Sequence, residues 1–333
     1  MVESMTRHRR TPALRTAAIA IVALLMAATV SFFGLGIFVY LQTSQLSSPT
    51  SASSDARTPA KTSKKIEQVA AENNAKAEFY DVTASRDGHR IPVLSFAIDG
   101  NLDRDTVVLL HGLGGNKEGV TRIADMYLKF GYNVLAIDQM NHGFNTAHHN
   151  MMGVGESEET LDVLTHVAAH QSGDKKLALW GMSYGGETAA LTTAKAPTGM
   201  LDYVVLDSPL LEGRDKVRRV LGKDMSPKSP FFRLASSSGE MVWKLRQGID
   251  YADMDATMQL YQRQNELPPI LVIQSRQDKT IEPHMADRLK DTLGDRVQVQ
   301  WTDGGHAAYS ATHTEQYRMW LAEFLEEPSG GRP

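Results

Sequence analysis

The 333-residue chain contains no cysteine. Disulfides, thiolate metal sites and a cysteine nucleophile are thereby excluded together. Also missing is any long basic run interleaved with aromatics, and the formal net charge is only −4. Nothing therefore points to nucleic acid as a partner. Charge is absent locally as well: Thr16–Leu41 holds no Asp, Glu, Lys or Arg, while Arg7, Arg9, Arg10 and Arg15 stand just before it. Those 26 residues would reach about 39 Å as a helix, more than the roughly 30 Å of a hydrocarbon core.

That run reads as a membrane anchor. A core helix would show one polar face, and this segment is apolar all round. A cleaved signal peptide is the rival, but its apolar part is normally shorter and ends at small residues. Here the run ends in Phe38-Val39-Tyr40-Leu41. The pair Arg9-Arg10 suggests a twin-arginine export signal, yet its flanking residues fit poorly. Positive residues tend to stay cytoplasmic, so 1–15 is expected inside, 16–41 across the cell membrane in a single pass, and the rest outside the cytoplasm. Residues 42–77 are expected to be a flexible linker, rich in Ser, Thr, Ala and Pro, followed by a short polar helix from Lys64.

With 42% hydrophobic residues the remainder can bury a substantial core. From Glu78 short apolar runs alternate with helix-length segments. "EFYDVTAS" and "IPVLSFAID" flank the turn Arg86-Asp87-Gly88-His89; "TVVLL", "NVLAI", "KLALW", "YVVL", "ILVIQ" and "VQVQW" follow. This pattern predicts an α/β fold with a mostly parallel, doubly wound sheet over 78–327. In such sheets reactive groups collect at the carboxyl ends of strands. There stand "HGLGGNKEG" from His111, "DQMNHG" from Asp138, Ser183, "SRQDKTIEP" with Asp278, and "DGGH" with His306.

Gly181-Met182-Ser183-Tyr184-Gly185 is a G-x-S-x-G sequence between a strand-like run and a small-residue helix. A serine on so sharp a turn needs neighbours without side chains. Serine is a weak nucleophile near neutral pH and needs an adjacent base, for which His306 is the candidate, with Asp278 to orient it. Asp207, in "LDSP" after the sixth strand, is the alternative acid. His148-His149 is adjacent rather than spaced to share a metal, and no carboxylate cluster completes a site. Neither a metal nor a cofactor is expected.

With "HGLGG", "GMSYGG", "QDKTIEP" and "GGH" in this order, the chain from Glu78 to Glu327 resembles the α/β-hydrolase superfamily, most closely its serine-aminopeptidase-like bacterial group. The resemblance implies a Ser183–Asp278–His306 triad and an oxyanion hole from the amides of Leu113 and Tyr184. It makes His111, Asn141 and His142 possible pocket residues, with His111 more a brace for the loop after the third strand than a participant in chemistry. The insertion 209–268, with apolar residues at helical spacing, falls where this superfamily often carries a helical cap. The implied activity is hydrolysis of a small-molecule or lipid-like carboxylic ester. Peptide or amide cleavage, acyl transfer and a non-catalytic binding domain are the alternatives.

Overall fold

The computed structural model describes residues 12–45, 64–147, 149–222 and 225–326. Arg7, Arg9, Arg10, residues 46–63 of the expected linker, and His148 lie outside them.

β1 (Ala75–Thr83) and β2 (Arg90–Ile98) form an antiparallel hairpin. Its turn closes through Ala84 N–H to the His89 carbonyl at 2.9 Å. β2 is also antiparallel to β4 (Asn133–Ile137). The other strands are parallel: β3 (Thr106–Leu110), β5 (Leu177–Met182), β6 (Tyr203–Asp207), β7 (Ile270–Ser275) and β8 (Val297–Thr302). One sheet results, in the order β1-β2-β4-β3-β5-β6-β7-β8.

Why β3, β4 and β6 are apolar but for Thr106, Asn133 and Asp207 at their ends follows from their cover: every residue in them is buried, as in a sheet with helices on both faces. Val108, Leu110, Ile137, Leu179 and Leu206 point into one core with α4 (Val154–Ala168) and α5 (Tyr184–Lys195). Val107, Leu109, Ala136, Trp180 and Val205 point into the other. That second core is closed by α2 (Lys64–Glu72), α3 (Thr121–Lys129) and α11 (Thr314–Glu326).

The expected polar helix from Lys64 is thus amphipathic, burying Ile66, Val69 and Ala70. The first strand begins at Ala75 rather than near Glu78. Its alternation of half-buried and exposed residues marks an edge strand paired on one side only.

Between β6 and β7 the chain forms α6 (Gly213–Leu221), α7 (Pro230–Gln247) and α8 (Ala256–Tyr261). Ser229 caps α7 by accepting the Phe232 amide at 3.1 Å, and Asp255 caps α8 by accepting that of Met258 at 3.0 Å. α9 (His284–Leu293) follows β7, and the single turn α10 (Tyr309–Thr312) follows β8.

The apolar run lies within one helix, α1 (Pro12–Ser44). Arg15–Ser44 is long and apolar enough to cross a membrane, and contains a stretch of 18 residues with a mean hydropathy of 2.4. Gln42–Ser44, expected to begin the linker, are instead its last turn. That end is docked on the insertion. Trp243 donates its indole N–H to Thr43 Oγ1 at 2.9 Å, and Gln247 Nε2 donates to the Tyr40 hydroxyl at 2.9 Å. The Tyr40 and Trp243 rings meet edge-on at 4.8 Å. Gly36 lies so close to the Ser238 carbonyl, and Gly239 to Val39, that a Cβ at either glycine would overlap its neighbour.

Candidate active site

Ser183 sits at the end of β5, where the chain turns straight into α5. Its backbone is at φ 56° and ψ −112°, a strained combination for a residue with a side chain. The turn is held by Ser183 N–H donating to the Asp207 carbonyl at 2.8 Å, and by the Leu210 amide donating to the Ser183 carbonyl at 3.1 Å. A Cβ on Gly181 would overlap the Gly185 carbonyl, and one on Gly185 would overlap the carbonyls of Leu110 and His111. The two glycines let β5, α5 and the end of β3 crowd together, and so push the serine outward.

His306, on the loop after β8, places Nε2 at 2.8 Å from Ser183 Oγ. Its Nδ1 lies 2.7 Å from Asp278 Oδ2. Asp278, on the loop after β7, accepts the amides of Thr280 at 2.7 Å and Ile281 at 2.9 Å on Oδ1. Gln274 Nε2 adds a bond to Oδ2 at 3.2 Å. Burial alone would raise this carboxyl, but the bonds from His306 and the two amides outweigh it and hold it below the ordinary range. An ionised Asp278 fixes Nδ1 of His306 as the donor and leaves the Nε2 lone pair facing the Ser183 hydroxyl.

Asp207 is elsewhere engaged. It accepts the Tyr317 hydroxyl at 3.0 Å and the Ser208 hydroxyl at 3.2 Å. Burial pushes its carboxyl up to about 6 despite those bonds.

The loop after β3 passes beside the serine: a Cβ on Gly112 would lie 3.5 Å from Ser183 Cβ. Among the described residues, the amides of Leu113 and Tyr184 donate to no partner. His111 and His142 are buried beneath this loop. Burial, followed by the neighbouring His142, pushes His111 down to about 4; burial likewise lowers His142. Both imidazoles are therefore neutral. His111 Nε2 accepts the Gln139 amide at 3.2 Å, so its Nδ1 donates to the Gly112 carbonyl at 2.8 Å. His142 Nε2 accepts the Gly114 amide at 3.0 Å, so its Nδ1 donates to the Met140 carbonyl at 2.8 Å. Asn141, also buried, donates to Asn150 Oδ1 at 3.1 Å.

Three supports had no clear signature in the sequence. Lys117 is buried and donates to Asp138 Oδ2 at 2.6 Å, tying the β3 loop to the end of β4. The Tyr184 hydroxyl donates to Glu156 Oε1 at 2.6 Å. Lys216 of α6 forms a fully buried ion pair with Glu187 of α5 and lies over the Tyr184 ring, 4.6 Å from its centroid. The one hint was Glu187 itself, a charge within the small-residue run "GGETAAL".

Glu187→Ala should lower stability by about 3–5 kcal/mol in denaturant unfolding, because it strands the Lys216 ammonium in the core. Glu187→Leu combined with Lys216→Met should recover most of that loss. A double variant no more stable than the single one would contradict this account of the pair.

Residues 105–227 match the family described as alpha/beta hydrolase fold, and residues 247–331 match the one described as TAP-like protein. Together they cover more than half of the chain. The chain is 22% identical to the uncharacterized protein YqkD of Bacillus subtilis over 67% of this chain and 71% of that one. A shorter stretch, 34% of this chain and 35% of the relative, is 35% identical to the sn-1-specific diacylglycerol lipase ABHD11 of Danio rerio. The chain thus spans about a third of that relative's length. The esterase Pf2001 of Pyrococcus furiosus superposes with a TM-score of 0.60 at 17% identity, over 78% of this chain and 95% of that one. Est1E of Butyrivibrio proteoclasticus, solved with ferulic acid, superposes with a TM-score of 0.55 at 15% identity, over 75% and 98%. The sheet order, the strained serine turn at the end of β5 and the two family matches lead to one conclusion: the chain belongs to the α/β-hydrolase superfamily.

Proposed function

We propose that this protein is a membrane-anchored serine hydrolase that cleaves a carboxylic ester through an acyl-enzyme. The observation that carries this reading is the continuous hydrogen-bonded line from Ser183 Oγ through His306 to Asp278. Ser183 Oγ attacks the ester carbonyl carbon as its proton passes to His306 Nε2. Asp278 stabilises the imidazolium that forms. The amides of Leu113 and Tyr184 receive the charge that develops on the carbonyl oxygen. Collapse of the tetrahedral species breaks the bond to the leaving alkoxide, which takes the proton from His306. Water then repeats the sequence on the acyl-serine and restores the hydroxyl.

An ester as substrate is supported by the names of similar proteins, a diacylglycerol lipase and an esterase among them. Incubation with p-nitrophenyl esters and aminoacyl nitroanilides, with and without acceptor alcohols, tests the proposal. Release of nitrophenolate far exceeding that of nitroaniline, unaltered by alcohols, is the expected result. Faster nitroaniline release identifies a peptidase, an alcohol-dependent ester product identifies an acyltransferase, and no turnover identifies a binding domain.

The hydrolase domain is proposed to lie outside the cytoplasm, because arginines precede the apolar helix. Protease added to intact spheroplasts should cut the chain from outside within residues 46–63 and generate an active fragment that begins there. Protection until the membrane is permeabilised would reverse the topology. A soluble mature form lacking the apolar run would make that run a cleaved signal.

A further inference from the structure

α7 presents three different faces. One, with Ser238, Gly239, Val242 and Trp243, is buried, and its glycine and tryptophan meet α1 directly. A second lines a cavity of about 520 Å³ with Arg233 and Glu240, opposite Asp215 and Arg218 of α6. The third carries Phe231, Leu234, Met241 and Leu245, which are 51%, 49%, 44% and 67% exposed. Their spacings of three, seven and four residues put them on one stripe of the helix. A cap meant only to cover a site has no use for an exposed apolar stripe of this length.

The neighbouring helix indicates what covers it. Contacts run in the same order along α1 and α7: Gly36 meets Ser238, Val39 meets Gly239, and Thr43 meets Trp243. The two helices therefore lie side by side and point the same way. Phe231 precedes Ser238 by seven residues, about 10 Å of helix, and so lies toward the middle of the apolar run of α1. Phe33, Ile37, Phe38 and Leu41 of α1 are exposed as well. At the other end of the contact stand the Tyr40–Trp243 aromatic pair and then Lys244 and Arg246. This is the order found at a membrane boundary: apolar side chains, an aromatic belt, then cations. Arg233, beside the stripe in sequence, faces the cavity.

We infer that α7 is embedded in the outer leaflet beside α1, so that anchor and cap form one membrane-inserted unit and the enzyme takes lipid esters directly from that leaflet. The inference rests on the proposed anchor and ester hydrolysis, and it replaces a freely tethered domain with one held against the bilayer.

The test exploits the absence of cysteine. Full-length protein is reconstituted in phospholipid vesicles as Phe231→Cys, Leu234→Cys and, as a control on α11, Met319→Cys. Each is labelled with an environment-sensitive fluorophore. Labels at 231 and 234 should be quenched by doxyl-labelled lipids and protected from aqueous iodide, with the reverse at 319. Quenching by iodide at all three sites would overturn the inference. Protection from both quenchers would also overturn it, since another protein surface would then cover the stripe. This readout needs no turnover, so it stands apart from any failure of the ester-hydrolase reading. In parallel, Phe231→Asp/Leu234→Asp should lower hydrolysis of a long-chain diacylglycerol in vesicles by at least about tenfold. Hydrolysis of a short soluble p-nitrophenyl ester should be unchanged. Equal loss on both substrates would contradict a role in lipid access.

Discussion

Ser183→Ala should lower turnover of an ester substrate by about 10⁴- to 10⁶-fold while leaving the fold intact. In the proposed mechanism its oxygen is the atom that bonds to the acyl group, and no other described nucleophile touches His306. The strained backbone at Ser183 is set by Gly181, Gly185 and the bond to the Asp207 carbonyl, none of which the substitution removes. Circular dichroism should therefore be unchanged. Residual turnover should remain above the uncatalysed rate, because the Leu113 and Tyr184 amides would still be in place to polarise a bound carbonyl. A loss of less than about tenfold would mean that the reaction does not pass through this serine.

Asp278→Asn should cost about 10⁴-fold in turnover. The amide side chain can accept on only one atom, and the Thr280 and Ile281 amides already require an acceptor. Its NH₂ group would then face His306 and favour the tautomer with the proton on Nε2, which cannot take a proton from serine. Asp207→Asn should cost less than about tenfold. Its carboxyl touches Tyr317 and Ser208 rather than His306, and an asparagine oxygen still accepts from either hydroxyl. Steady-state rates on one ester decide between them. A larger loss at Asp207 would place the working acid at the end of β6.

Much of this site could be read from order and context. Short, largely apolar strands announce a sheet covered on both faces, and the residues following them share one edge for that reason alone. Gly181 and Gly185 were legible because a tight approach of backbone to backbone admits no other residue. The start of β1 was not. Ala75, Lys76, Ala77 and Glu78 favour a helix by propensity, and only pairing with β2 makes them a strand. Buried charges such as Lys117 with Asp138, and Lys216 with Glu187, were hidden for another reason. Each partner alone reads as a surface residue, and only the fold brings the two together. Docking of α1 on α7 was equally silent. Gly36 and Gly239 lie about two hundred residues apart in sequence, and small residues advertise a close helix contact only once both helices are in view.

The central claim is a covalent one, so the most direct measurement is a mass. Full-length protein in detergent is treated with a fluorophosphonate, digested and sequenced by mass spectrometry. A single phosphonyl adduct on Ser183, absent from Ser183→Ala and greatly slowed in His306→Ala, is the result this account predicts. An adduct on a different residue, or labelling that persists undiminished in Ser183→Ala, would contradict it.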